Sequence, residues 1–266
     1  MTFEPFFNGK DDRALQFDPT DMARGPWSHE SLHGHVVGGL MAHAIELEHG
    51  SDEFLPARLT VDMFRLADFG PITVTTSVAR QGNRIRVIDA SLQVGGVEQA
   101  RCSAVMLRRA AQPEGNVWSP PPWDVPAPDD IESHESDRDP VWETRPISGQ
   151  RLSIDRSRSW MREVRELVGG VAITPFVRAA MAADITNPLA NSGDRGLEFV
   201  NADYTLYLHR LPVDEWIGLE VASHHSVGGI AVGTCALYDR QGPIGQCAVA
   251  SVANRHPPGP FGTRIR

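Results

Sequence analysis

The chain reads as two similar halves held apart by a segment that neither a helix nor a central strand can use. Residues 110–150 contain eight of the 20 prolines, including Pro120-Pro121-Pro122, and an acidic run from Asp124 to Asp139. Proline fixes φ and removes a backbone donor, so this stretch is excluded from helix interiors and central strands. It predicts a connector over 110–150, between one folded unit at 1–109 and a second at 151–266. Trp118, Trp123 and Trp142 predict that the connector packs on the surface of those units. Gly82, Gly95 and Arg108 align at one constant offset with Gly229, Gly242 and Arg255. A repeat of about half the chain is too long for a solenoid and fits a duplicated domain.

Each half shows the same order of signals. In the first, Val36, Val37, Leu40, Met41, Ala44 and Ile45 recur at helical spacing with one apolar face. Leu59, Val61 and Met63 then alternate with Thr60, Asp62 and Phe64 at strand period, as do Ile72, Val74, Thr76 and Val78. Two more strands, 85–94 and 99–107, meet at Gly95-Gly96, a pair that tolerates the positive φ of a tight hairpin. In the second half Thr174-Pro175 is a helix start, Thr as N-cap and Pro at the first helical position. That helix is expected to reach Ala183, with Pro188 barring its continuation. Strands are expected at 199–208, 216–224, 229–238 and 244–253, the last pair joined by a turn over 239–242. One helix followed by a strand meander, twice, is an α+β pattern with antiparallel sheet.

Charge and length narrow the function. With 25 Lys+Arg against 34 Asp+Glu, the formal net charge is −9. This argues against a general nucleic-acid affinity, which needs basic surface to neutralise phosphates. No stretch approaches the roughly 18 uninterrupted apolar residues of a membrane helix, and residues 1–16 lack an apolar signal core. A soluble cytoplasmic protein with no membrane partner is the expectation. Cys102, Cys235 and Cys247 are odd in number and form no C-x-x-C pair, so they read as buried thiols. His33, His35 and His43 share one segment, but no carboxylate or Cys is placed to complete a site, so no metal is expected.

Three segments carry a resemblance. Gly34-His35-Val36-Val37-Gly38-Gly39-Leu40-Met41 looks like the opening of a hotdog helix. Residues 56–65, Pro-Ala-Arg-Leu-Thr-Val-Asp-Met-Phe-Arg, look like the strand after it. Residues 201–210, Asn-Ala-Asp-Tyr-Thr-Leu-Tyr-Leu-His-Arg, followed by Asp214-Glu215-Trp216-Ile217, resemble the matching strand and turn of a second hotdog. In this order and spacing, over about 20–109 and 155–256, the chain resembles the TesB-like double-hotdog acyl-CoA thioesterases. The resemblance implies a tandem hotdog fold, each half a helix wrapped by antiparallel sheet. It implies an acyl-CoA substrate, no cofactor, and homo-oligomers.

It also implies hydrolysis by an activated water, without a covalent intermediate. A carboxylate takes the proton while neutral groups orient the water and stabilise the oxyanion. By this resemblance Asp184 activates the water and Asn201, at a position that is Thr or Asn in the family, orients it. The family's glutamine falls at Ala250 or a neighbour within 247–252, none of which is Gln, a departure. Ser251 is one residue off and so on the other strand face, and Gln246 lies four residues away. At the first helix, His33, Gly34, His35 and Val36 are expected to meet the substrate, with backbone amides from Gly34 to Val36 forming the oxyanion site, since helix N-termini leave N–H groups free. Arg65 and Arg210 either pair with acidic neighbours or lie near the CoA phosphates. Two alternatives stand beside hydrolysis. One is a non-catalytic acyl-CoA or lipid binder that has lost the glutamine. The other is an enoyl-CoA hydratase-like enzyme, from Asp184-Ile185-Thr186-Asn187-Pro188-Leu189, in which Ala190 replaces that motif's His.

Overall fold

Thirteen strands join in one antiparallel sheet in the computed structural model, which describes residues 3–11, 14–132, 141–149 and 154–254. The N-terminal residues, mixed in charge and without clear period, form a hairpin, β1 (Phe7–Asp11) and β2 (Ala14–Pro19). Helix α1 (Gly34–His49) follows, then β3 (Phe54–Met63), β4 (Ile72–Gln81), β5 (Ile85–Val94) and β6 (Val97–Arg108). Gly95 and Gly96 both take positive φ in the β5–β6 turn, as their sequence requires.

The second half begins inside the proline-rich segment. Its residues 142–148 form β7 (Trp142–Ser148), paired with β8 (Arg158–Glu163). Pro146 is tolerated because β7 is the last strand of the sheet and has a free edge. Trp123 stacks on Tyr238 at 4.1 Å, and Trp142 packs edge-on against His33 and His35. Trp118, expected to pack likewise, is 83 % exposed. Helix α2 (Pro175–Asp184) starts where Thr174 Oγ1 accepts from the Val177 amide. Pro188 does not end helical structure. It sits in the first turn of a short helix, α3 (Thr186–Ala190), where an amide has no helical partner to lose.

A small hairpin, β9 (Ser192–Gly193) with β10 (Gly196–Leu197), leads to β11 (Phe199–Asn201), β12 (Asp203–Leu208), β13 (Ile217–Val227), β14 (Ile230–Asp239) and β15 (Gly242–Ala253). The sheet runs β1-β2-β4-β5-β6-β3 in one half and β12-β15-β14-β13-β8-β7 in the other, joined where β3 pairs with β12. At that seam Thr60 and Thr205 share a hydrogen bond of 3.1 Å. The sheet is continuous through both halves, and α1 and α2 pack together inside it. The fold is a tandem hotdog. Gly82–Arg108 and its counterpart from Gly229 occupy matching strands, although Arg255 lies outside the described residues. All three cysteines are free and buried, and burial pushes the thiols of Cys102 and Cys235 up to about 12. Among the described residues no helix is long and apolar enough to cross a membrane.

Candidate active site

One break in strand alternation builds the site. Tyr204, Leu206 and Leu208 of β12 point inward, so strict period two would carry Asn201 to the outer face. Opposite them, Val249 and Ser251 of β15 point inward two residues apart. Asn201 is the partner of Ser251, so the β11–β12 side carries one extra residue at Ala202. Such a bulge re-aims a side chain. Here it turns Asn201 toward the helices.

Asn201 Nδ2 donates to Asp184 Oδ1 at 2.9 Å, tying the strand to the last residue of α2. Asp184 is buried, and its described hydrogen-bond partner is this side chain rather than a neighbouring backbone amide. Its carboxylate lies against the start of α1. A Cβ placed on Gly34 would stand 2.7 Å from Asp184 Oδ2 and 2.9 Å from Oδ1. Only glycine leaves room for the carboxylate there. Burial raises the Asp184 carboxyl to about 6, while the hydrogen bond from Asn201 pulls it the other way.

His33, Gly34, Asp184, Asn187 and Asn201 line one cavity of about 280 Å³, with Trp27, Val37, Met63, Phe64 and Val200 among its apolar walls. Asn187, which the resemblance did not single out, is fixed from behind. Its Oδ1 accepts from Ser251 Oγ and Asn191 Nδ2, both at 2.9 Å, and its Nδ2 donates to the Phe199 carbonyl at 3.2 Å. The signal for it was the Asn-Pro pair, read as part of a hydratase-like motif that the site does not complete, because residue 190 is Ala.

The expected segment at α1 divides. His33 and Gly34 line the cavity, whereas His35 and Val36 are fully buried and do not. The expected row of free amides is also shorter. His33 is the N-cap, its Nδ1 accepting from the His35 amide, and its carbonyl accepts from the Val36 and Val37 amides. This leaves the Gly34 N–H without a described partner. Ala250, placed at the family's glutamine, has its side chain on the exposed outer face opposite Val232. The inward polar residue of that strand is Ser251, which reaches Asn187. Gln246 also faces outward.

The arginines separate as well. Arg210 binds Asp239 through both terminal nitrogens, at 2.5 and 2.6 Å, and so is structural. Arg65 is exposed and lines the cavity with no ion pair among the described residues. Arg86 lies over the Phe54 ring, 3.9 Å from its centroid. His224 Nδ1 meets Asn191 Oδ1 at 2.7 Å, extending the polar network behind Asn187 to the surface.

The geometry can be set beside known proteins. The family model for the acyl-CoA thioesterase N-terminal domain matches residues 23–108, and that for the acyl-CoA thioesterase C-terminal domain matches residues 117–251. Among solved structures, a tesB protein of Mycobacterium avium subsp. paratuberculosis superposes with a TM-score of 0.68 at 16 % identity, covering 93 % of this chain and 96 % of that one. A putative thioesterase II from Thermobifida fusca YX gives 0.70 at 13 %, covering 94 % and 95 %. The acyl-CoA thioesterase II TesB2 of Mycobacterium marinum gives 0.64 at 14 %, covering 94 % and 96 %. At these identities the structural likeness speaks for the fold. No curated protein matches the chain in sequence.

Proposed function

Because the chain belongs to the acyl-CoA thioesterases, matching both of their domain models in order along its length, we propose that it hydrolyses an acyl-CoA by direct attack of water, with Asp184 as general base. The observation that carries this reading is the Asp184 carboxylate itself, buried at the cavity wall, bonded to Asn201 and pressed against Gly34. A carboxyl raised to about 6 is ionised at neutral pH, yet basic enough to take a proton from water in the transition state.

Asn201 holds one carboxylate oxygen and leaves the other for the attacking water. Water adds to the thioester carbonyl carbon as Asp184 takes its proton. The oxyanion accepts from the Gly34 N–H and the cavity-side nitrogen of His33, donors fixed by the helix start. Collapse breaks the carbon–sulfur bond. The departing thiolate takes the proton back from Asp184, giving a free thiol and a carboxylic acid. A cavity of about 280 Å³ is at the small end for ligand sites and holds the acyl end, with the nucleotide end of CoA outside and Arg65 at the rim for its phosphates. This favours short over long acyl chains.

Thiol release over acyl-CoAs from two to 18 carbons tests the reading. A chain-length optimum at the short end, lost in Asp184→Ala with substrate still bound, is the expected result. Saturable binding with no release from any substrate would overturn it in favour of a binding protein. Release undiminished in Asp184→Ala would remove Asp184 as the base.

A further inference from the structure

Behind His33 lies a row of titratable side chains that the hydrolytic scheme leaves unused. His35 Nδ1 stands 2.7 Å from His33 Nδ1. His33 Nδ1 already accepts from the His35 backbone amide, so it carries a lone pair, and the His35 Nδ1 beside it must carry the proton. A neutral imidazole has one N–H, so His35 Nε2 is an acceptor. Burial keeps both rings neutral, lowering His33 to about 4 and His35 well below its ordinary value, with His33 adding to the latter.

His35 Nε2 points at Glu163 of β8, whose Oε2 is 4.0 Å away. Glu163 Oε1, Glu163 Oε2 and His35 Nε2 are all buried without a hydrogen-bond partner among the described residues. Burial raises Glu163 to about 8, against the opposing pull of Arg178, so at neutral pH it is a carboxylic acid. An orphaned O–H donor thus faces an orphaned acceptor. The gap is about 1 Å beyond bonding length, too narrow to seat a bridging water, and a turn of the carboxyl closes it. Phe6 and Trp142 pack edge-on against His35, at 5.2 Å each, and wall the row from solvent.

We propose that Glu163, acting through His35, is a positioning residue that keeps the cavity-side nitrogen of His33 protonated as an N–H donor. The inference rests on the proposed hydrolysis only for what that donor does. The row itself is a property of the protein. With Glu163 protonated, the order is Glu163 O–H to His35 Nε2, His35 Nδ1–H to His33 Nδ1, and His33 Nε2–H toward the cavity. When Glu163 gives its proton to solvent, its carboxylate becomes an acceptor. His35 then carries its proton on Nε2, and its Nδ1 lone pair accepts from a proton on His33 Nδ1, which gives up the 3.4 Å bond from the His35 amide; the cavity-side nitrogen is left a bare lone pair. Each ring keeps one proton throughout, so a single ionisation, about a ring-pair away, turns a donor into an acceptor.

Among the described residues the charged groups around Glu163 are these. His35 faces it from α1, and Arg178 acts on it from α2 with one buried terminal nitrogen that has no partner among the described residues. Asp214 and Glu215 act on Arg178 from the loop before β13. On β7 and β8, Glu143 and Arg162 are engaged with each other.

Nitrogen-15 spectra of the histidines, with His33 assigned through His33→Gln, read the tautomer directly. In the wild-type protein His33 should carry its proton on Nε2 at pH 6.5 and on Nδ1 at pH 9.5, with the change centred near pH 8. Acyl-CoA hydrolysis should fall about tenfold per pH unit above that point. Glu163→Gln keeps a donor amide that cannot ionise, so it should hold the Nε2–H form throughout and lose the alkaline fall. His35→Phe should also abolish the transition, with Glu163 intact. A wild-type His33 that keeps one tautomer across this range overturns the proposal, as does a transition that persists in Glu163→Gln. A tautomer change with no effect on hydrolysis would uphold the row and remove His33 from the oxyanion site.

Discussion

Replacing Asp184 with Asn removes an ionisation while keeping the shape of the side chain and the oxygen that accepts from Asn201. The fold holds the Asp184 carboxyl at about 6, against 3.8 in an unfolded chain, because burial penalises its charge. Well below pH 3.8 the group is protonated in both states and costs nothing. Between 4 and 6 the unfolded chain ionises first, so stability is lost as pH rises, and the loss is complete above the folded value. That difference makes the ionised fold about 3 kcal/mol less stable than the protonated one. Asp184→Asn does not pay it. Its stability relative to wild type should therefore climb by about 3 kcal/mol from pH 3 to pH 7.5, roughly 6–12 °C in Tm for a chain of this size. Urea or thermal unfolding of both proteins at four pH values reads this. The slope is the test, because any fixed cost of the new amide cancels and all other titrations are common to both. A difference that stays flat between pH 3 and 7.5 would refute the buried, charge-bearing Asp184 on which the proposed chemistry depends. The same variant should lose hydrolysis, the usual exchange between stability and a strained site.

Two further substitutions probe the placement of that carboxylate. Gly34→Ala puts a methyl 2.7 Å from Asp184 Oδ2, so the carboxylate must withdraw by about half an ångström; kcat should fall on the order of 10–100-fold while thermal stability stays within about 1 kcal/mol of wild type, and retained kcat would show that the contact is not required. Asn201→Ala removes the hydrogen bond that holds the Asp184 carboxyl down. The acid limb of kcat/KM against pH should then move upward, and an unmoved limb would assign it to another group.

Local chemistry was legible wherever it was self-contained. Thr174-Pro175 and Gly95-Gly96 announce a cap and a turn from the residues alone, and both form as read. The β1–β2 hairpin was not legible, because Phe7 and Phe17 become buried only against the rest of the fold, in a segment with no clean period. Nor was β7, whose proline is admissible only because the strand lies at the sheet edge. The site was legible in part, since the resemblance named Asp184 and Asn201, 17 residues apart, and the fold bonds them. The resemblance placed the family's glutamine at Ala250, and strand period put Ser251 on the opposite face, an alternation that β15 keeps. What strand period could not foresee is the extra residue at Ala202 on the neighbouring strand, which turns Asn201 inward opposite Ser251 while Ala250 faces outward. Strand period is a reliable guide only between bulges, and a bulge is where a sheet re-aims a side chain toward a ligand. Glu163 escaped for a related reason. It follows Arg162 in a strand rich in charge and looks solvated, yet it shares parity with the buried Met161. A carboxyl on the apolar face of a strand is costly unless its proton or a partner neutralises it. That cost is the physical ground for reading Glu163 together with His35 rather than as one more surface acid.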